Sequence, residues 1–428
     1  MIQISIGDYV EEAMIKFGNY VNTSRHIPFY LDGLKPSYRR AIYAAQTLSG
    51  KKVKTATLTG EIIGKYHPHG EKSISDIIPN LVNNKIFDGQ GNFGNSYMTG
   101  ERDGAAAPRY TEVEINKTFR DLFGLLLDYV PFEESELTYQ MPTYLPSPIP
   151  LCLGFGLQGI GIGCSVRVPM FSYKSLFNAM INNDYKLLEA PDGIILDKDN
   201  SELKELWETG RGRVCYKFLV KQYRSTDGYV GALIEGNPSY FFPNYSEIAK
   251  HVNSGNVFIR DMYGKGSKQK KVFIGRNYNV KKISIEEIVA MTEEASRYKK
   301  MYNLLVHDGS HVYQIPLKSW LQLTYDNYIN LLKDYKSRNI NNIQRDIDIY
   351  TWLPKVTDYL MKDRTRTKEI IAKDLNIDID IVSAILRKSI STLLKTDSDA
   401  QIALLNKSLK EMKAFSETDK VKQLITTL

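Results

Sequence analysis

The stretch MPTYLPSPIPLCLGFGLQGIGIGCSVRVP, residues 141–169, limits what this 428-residue chain can fold into more than any other. Proline removes a backbone donor and fixes φ, while glycine gives up the most conformational entropy in regular structure. Closely spaced prolines followed by closely spaced glycines therefore forbid one long helix here. The β-prone residues between them predict short strands. A domain boundary is expected near residue 145.

The two sides read differently. Residues 1–145 combine helical segments with glycine-rich loops. EEAMIKFGNYVNT (11–23) and PSYRRAIYAAQTL (36–48) carry apolar residues at helical spacing, the second opened by Pro36 at a first-turn position. TATLTGEIIGKY and ISDIIPNLVNN follow. Helices, a basic turn and a short strand are compatible with a winged-helix domain. Residues 146–317 mix short helices with strands at RVCYKFLV, YVGALIEG, KKVFIGR and YNLLVHDG. From 318 onward the chain turns helical. Leu321, Tyr325, Tyr328, Leu332 and Tyr335 form one stripe, Val382, Leu386, Ile390 and Leu393 a second, and Ile402, Leu405, Leu409 and Met412 a third. The polar break KTDSDA (395–400) between the last two predicts a helical hairpin, packed as ordinary helices or as a short coiled coil. The fold class is α+β and multidomain, divided into 1–145, 146–317 and 318–428.

Composition excludes some classes. No apolar run reaches the roughly 18 residues of a membrane span, and the start MIQISIGDYVEEAMIKF lacks the shape of a signal peptide. Cys152, Cys164 and Cys215 have neither metal-ligand spacing nor an even-numbered framework. A reduced, cytoplasmic protein is expected. The net charge of +7 points weakly to a polyanionic partner. Its placement says more: LKPSYRR (34–40), GKKVKT (50–55) and YGKGSKQKK (263–271) are compact basic clusters, the first and last carrying a tyrosine, a pattern suited to phosphate contacts or to a solvated basic face.

Several motifs are decoys. Gly89-Gln-Gly91-Asn-Phe-Gly94 and Gly154-Phe-Gly156-Leu-Gln-Gly159 match GxGxxG, yet neither is followed by residues that can open a helix, as a dinucleotide site requires. No phosphate-binding GxxxxGK[ST] loop occurs. Asp346/Asp348 and Asp378/Asp380 stand at i and i+2; on helices their side chains would point about 200° apart and could not share a metal. No metal site is expected. KYHPHGEKS (65–73) is more informative, because His67 and His69 flank a proline and lie among lysines. That setting favours phosphate contact or proton relay over zinc. APRYTEVEI (107–115) places Tyr110 directly after Arg109. A phenol is a poor nucleophile near neutral pH unless a cation, base or metal assists it.

DGLKPSYRR (32–40), IGKYHPHGE (63–71), DGQGNFG (88–94) and AAAPRYTE (105–112) occur in the order and spacing of four signature blocks. Together they resemble the DNA-breaking A subunit of type IIA topoisomerases, the gyrase A and topoisomerase IV ParC family. GIGIGCSVRVP (159–169) and ETGRGRV (208–214) are similar to later blocks. The resemblance implies a winged-helix DNA-cleavage domain, an α/β tower domain and a C-terminal coiled-coil dimer gate. It implies that Tyr110 attacks double-stranded DNA to form a 5′-phosphotyrosyl link, that Arg109 stabilises the transition state, and that His69 orients or deprotonates the tyrosine with Arg25 assisting. Lys35, Arg39, Arg40 and His67 fall on DNA-contacting positions, and Ile160 on an intercalating wedge. Mg²⁺ and ATP are expected on a separate TOPRIM/ATPase B subunit, in an A2B2 assembly around an A homodimer. Supercoil relaxation and decatenation are then the expected outcomes, since no wrapping domain follows the helical hairpin.

Departures exist. Leu31 stands where bacterial members have arginine, Pro108 looks eukaryote-like, and Lys72 occupies a position usually held by serine. Two other readings compete. An architectural DNA-binding scaffold would have no need of Arg109, Tyr110 and His69, and a metal-dependent nuclease would need clustered acids.

Overall fold

Ser5 starts the first helix, its hydroxyl accepting the Asp8 N–H at 3.1 Å, as serine does at helix N-caps. This helix, α1 (Ile6–Val21), leaves Ile6, Tyr9, Met14, Phe17 and Tyr20 exposed and ends in a single π-helical turn, Asn22–His26. Pro36 opens α2 (Pro36–Thr47) at the position where its missing N–H costs nothing. Ala41, Ile42, Ala44 and Ala45 face the core. The short strand β1 (Val53–Lys54) leads into α3 (Thr55–Lys65), and α4 (Glu71–Asn83) follows the His-Pro-His segment. Next come β2 (Phe87–Gln90), β3 (Phe93–Ser96), β4 (Arg102–Ala105) and β5 (Glu112–Ile115). Strand β5 lies at the centre of a three-stranded antiparallel sheet ordered β1-β5-β2, in register Val53↔Val113 and Gly89↔Val113.

The computed structural model describes residues 5–48, 51–96, 102–191, 193–236, 241–262, 270–277, 283–362, 366–388 and 397–428. The chain divides into one unit of residues 1–328 with 423–428 and a second of residues 329–422. In the first unit, α5 (Lys117–Gly124) is followed by the hairpin β6 (Phe132–Glu134) and β7 (Gln140–Pro142). The Pro/Gly stretch then folds as α6 (Cys152–Phe155) and the hairpin β8 (Leu157–Ile160) and β9 (Ser165–Val168). Both GxGxxG matches run into strands, β3 and β8, not helices.

Beyond α7 (Tyr173–Asn182), two antiparallel sheets form. Strand β10 (Ile195–Leu196) pairs with β11 (Arg211–Lys217), with α8 (Leu203–Thr209) between them in sequence. Strands β12 (Leu219–Arg224), β13 (Val230–Gly236), β14 (Val257–Asp261) and β15 (Lys270–Arg276) make a sheet ordered β12-β13-β15-β14, with α9 (Ser246–Asn253) and α10 (Ile285–Ala295) alongside in sequence. Strand β16 (Arg297–Asn303) joins β11 and β9, closing a five-stranded sheet β10-β11-β16-β9-β8. The hairpin β17 (Leu305–His307) and β18 (Val312–Gln314) precedes α11 (Leu317–Lys362).

Leu321, Tyr328 and Leu332 of the predicted stripe are fully buried on α11. The second unit has its own core of Ile349, Leu353, Val356, Ile371, Val382 and Ile385, supplied by α11, α12 (Lys368–Leu375) and α13 (Ile379–Leu386). Ile390, Leu393 and the first two residues of the polar break (395–396) lie outside the described residues, while Asp397 caps the next helix, its carboxylate accepting the Ala400 N–H at 3.1 Å. In α14 (Ser398–Lys413) only Leu409 of the last stripe is buried, and α15 (Glu417–Thr427) follows. Asp346 and Asp348 lie on α11, as the helical argument needs. Asp378 does not lie within a helix: it is the N-cap of α13, its carboxylate accepting the Asp380 N–H at 2.7 Å. A capping role explains that pair.

Candidate functional site

Tyr110 closes a one-turn 3₁₀ segment, Pro108–Tyr110, immediately before β5. Pro108 fixes the entry φ, and the Tyr110 N–H bonds the Ala107 carbonyl at 2.9 Å. Thr111 anchors the turn from below. Its hydroxyl donates to that of Thr55 at 2.8 Å, its carbonyl accepts the Thr55 N–H at 2.9 Å, and both threonines are buried. The turn is thus tied to the start of α3 while its side chain stands free: Tyr110 is 66% exposed. The Arg109 guanidinium carbon lies 4.7 Å from the Tyr110 ring centroid, a cation–π distance. An exposed phenol on a stiff turn with a cation against it can meet an anionic ligand without rearranging the backbone.

His67 and His69 sit at the end of α3, their rings 4.5 Å apart and perpendicular. His67 is buried, and its Nδ1 lies 2.7 Å from Arg40 Nη1. Because guanidinium only donates, Nδ1 must accept and the proton resides on Nε2. Burial, and then Arg40, His69 and Arg25, push the His67 pKa down to about 4, so the ring is neutral near pH 7. His69 is half-buried, its Nε2 3.6 Å from Glu136 of the β6–β7 hairpin. Among the described residues no hydrogen bond joins His69 to the Tyr110 hydroxyl.

The remaining expected site residues are placed unevenly. Arg25 is exposed on the π turn, and Arg40 is half-buried on α2. Lys35 donates to the Gln158 carbonyl at 2.7 Å, and burial lowers its pKa. Ile160, at the end of β8, is 70% exposed. Arg39, also expected at a DNA-contacting position, is held inside the fold. Its guanidinium is buried on Asp32, with Nε–Oδ2 2.6 Å and Nη2–Oδ1 3.0 Å. Asp32 also accepts the N–H groups of Leu34 and Leu145, so this pair pins the start of α2 to the Pro-rich stretch. Leu31 is buried beside it. Among the described residues, no group of three or more His, Cys, Asp or Glu side chains could hold a metal ion.

Comparison with known proteins decides the family. The family model for the A subunit of DNA gyrase/topoisomerase IV matches residues 25–428. The chain belongs to that family. It is similar to the DNA gyrase A subunit of Helicobacter pylori, 32% identical over 247 residues, 51% of this chain and 29% of that protein. The DNA gyrase A subunit of Pseudomonas aeruginosa is 32% identical over 241 residues, and that of Staphylococcus aureus 32% over 237 residues, covering 25% and 26% of those proteins. The chain thus aligns with little more than a quarter of the curated relatives it matches. By family, then, the chain is gyrase A-like. Among the described residues, no helix is long and apolar enough to cross a membrane.

Sequence reasoning passed over Asn22, Asp32, Thr55 and Thr111, which hold the site together. Asp32 and Thr111 lay inside the signature blocks without a role. Asn22 and Thr55 gave no signal, because their partners are far along the chain.

Proposed function

We propose that this chain is the DNA-breaking and rejoining component of an ATP-dependent type II topoisomerase. The observation that carries the reading is Tyr110, exposed on a turn clamped from below and flanked by Arg109. In this reading the Tyr110 oxygen attacks phosphorus and the P–O3′ bond breaks. The phenol's proton passes to a base, with His69 the candidate, and is handed on to the departing 3′ oxygen, which leaves as a hydroxyl. The phosphotyrosyl ester conserves the energy of the bond, so rejoining needs no ATP. Arg109 places positive charge on the pentacovalent phosphate; Arg25, Lys35 and Arg40 line the DNA path, with the buried His67 and Arg39 behind them holding Arg40 and the start of α2.

The helices α2–α4 with the β1-β5-β2 sheet act as the winged-helix cleavage domain. The two larger sheets form the tower, and the helices after 317 the dimer gate. Ile160 wedges between base pairs, an insertion that costs a few kcal/mol of unstacking and is offset by the extra protein surface that bent DNA contacts. Mg²⁺ and ATP belong to a B-subunit partner in an A2B2 assembly.

Assayed with that partner, ATP and Mg²⁺, Tyr110→Phe should abolish relaxation and decatenation while DNA affinity stays near wild type. Retained relaxation would contradict the proposal. Arg109→Ala should raise the cleavage barrier by about 2.7–4 kcal/mol, as loss of one oxyanion-type donor does. A defect confined to binding would make Arg109 a positioning group only.

A further inference from the structure

The tip of the β8–β9 hairpin is held by a residue 140 positions away in sequence. The Asn22 side chain makes both bonds that a neighbouring strand would make to Ile162. Its Oδ1 accepts the Ile162 N–H at 2.7 Å, and its Nδ2 donates to the Ile162 carbonyl at 2.9 Å. Asn22 is 8% exposed, in the π turn that also carries Arg25. The approach is close enough to demand glycine. A Cβ on Gly161 would lie 2.2 Å from Asn22 Oδ1, and one on Gly159 would lie 2.1 Å from the His26 carbonyl oxygen. The Gly161 N–H closes the hairpin on the Cys164 carbonyl at 2.9 Å, and Lys35 holds its base at Gln158. The backbone on both sides of Ile160 is thus tied by hydrogen bonds at Gln158, Gly161 and Ile162, while Ile160 itself is open to solvent.

We propose that Asn22 is a positioning residue that locks the hairpin tip onto the π turn, so that Ile160 is presented as a rigid wedge in fixed register with Arg25. The proposal rests on the DNA-bending reading above. A wedge must transmit force to the base stack; on a mobile glycine loop it would fold back instead of unstacking a step. The bidentate amide supplies the stiffness that a GxGxG sequence lacks.

The test is energy transfer between end labels on a DNA duplex bound by the A and B subunits together. Four forms are compared: wild type, Asn22→Leu, Ile160→Ala and the double variant. Asn22→Leu should lose as much of the bending signal as Ile160→Ala, and the double variant should lose no more than either single one. The Ile162 amide, which donates to Asn22 Oδ1 in wild type, should exchange with solvent faster in Asn22→Leu than in wild type. Should Asn22→Leu fail to fold, Asn22→Ser, too short to reach both backbone groups, should give the same loss. Normal bending in a folded Asn22 variant overturns the proposal, as does an additive loss in the double variant. Unchanged bending in Ile160→Ala alone would sink the wedge reading and this proposal with it, an outcome told apart by that single control.

Discussion

Arg39 and Arg40 are neighbours on one helix with opposite surroundings. Arg39 is sealed on Asp32, while Arg40 reaches His67. Removing one partner of a buried ion pair leaves an uncompensated charge and costs about 3–5 kcal/mol. Arg39→Ala should therefore lower unfolding free energy by that amount in urea melts. Intact stability with weaker DNA binding would return Arg39 to the phosphate contacts. His67 and His307 offer a second test. Burial holds both near a pKa of about 4, whereas the unfolded chain protonates near 6.5. The unfolded state binds more protons between these values, so stability should be flat above pH 6.5 and fall as pH drops toward 4. Each histidine contributes on the order of 3 kcal/mol over that window. His67→Gln should flatten the slope measured by urea melts across pH; an unchanged slope would mean the ring is protonated in the fold.

At the scale of elements, helices were the most legible. Pro36 and the apolar spacing place α2, and the stripe Leu321–Leu332 places the buried face of α11, because helical periodicity is written locally. That the two GxGxxG runs lead into strands β3 and β8 was equally legible. The π turn at Asn22–His26 was not, since it accompanies bonds to Ile162 that no local pattern encodes. The anchoring of the Tyr110 turn was also hidden: Thr55 and Thr111 read as ordinary strand or helix residues until β1 and β5 pair. Thr111→Val keeps the shape but removes the hydroxyl. It should cost about 1–3 kcal/mol, the penalty of an unsatisfied buried partner, and slow cleavage more than it weakens DNA binding. Thr111→Ser should restore the rate. Equal rates in Thr111→Val and wild type would show that the strand pairing alone positions Tyr110.

For the whole molecule, four ordered blocks carried the family, and residues 25–428 match its model. What no block could show was which basic residues face outward. Burial separates Arg39 from Arg25 although both fit the pattern. The account stands or falls on Tyr110 forming a phosphodiester link to DNA. The direct measurement is denaturant trapping of the A and B subunits with Mg²⁺ on end-labelled duplex, followed by digestion and mass spectrometry of the DNA-linked peptide. The account predicts protein attached to 5′ phosphates, free 3′ hydroxyls, and a linked peptide carrying the nucleotide on Tyr110, all absent in Tyr110→Phe. Cleavage without attached protein, or an adduct on another residue that persists in Tyr110→Phe, would contradict it.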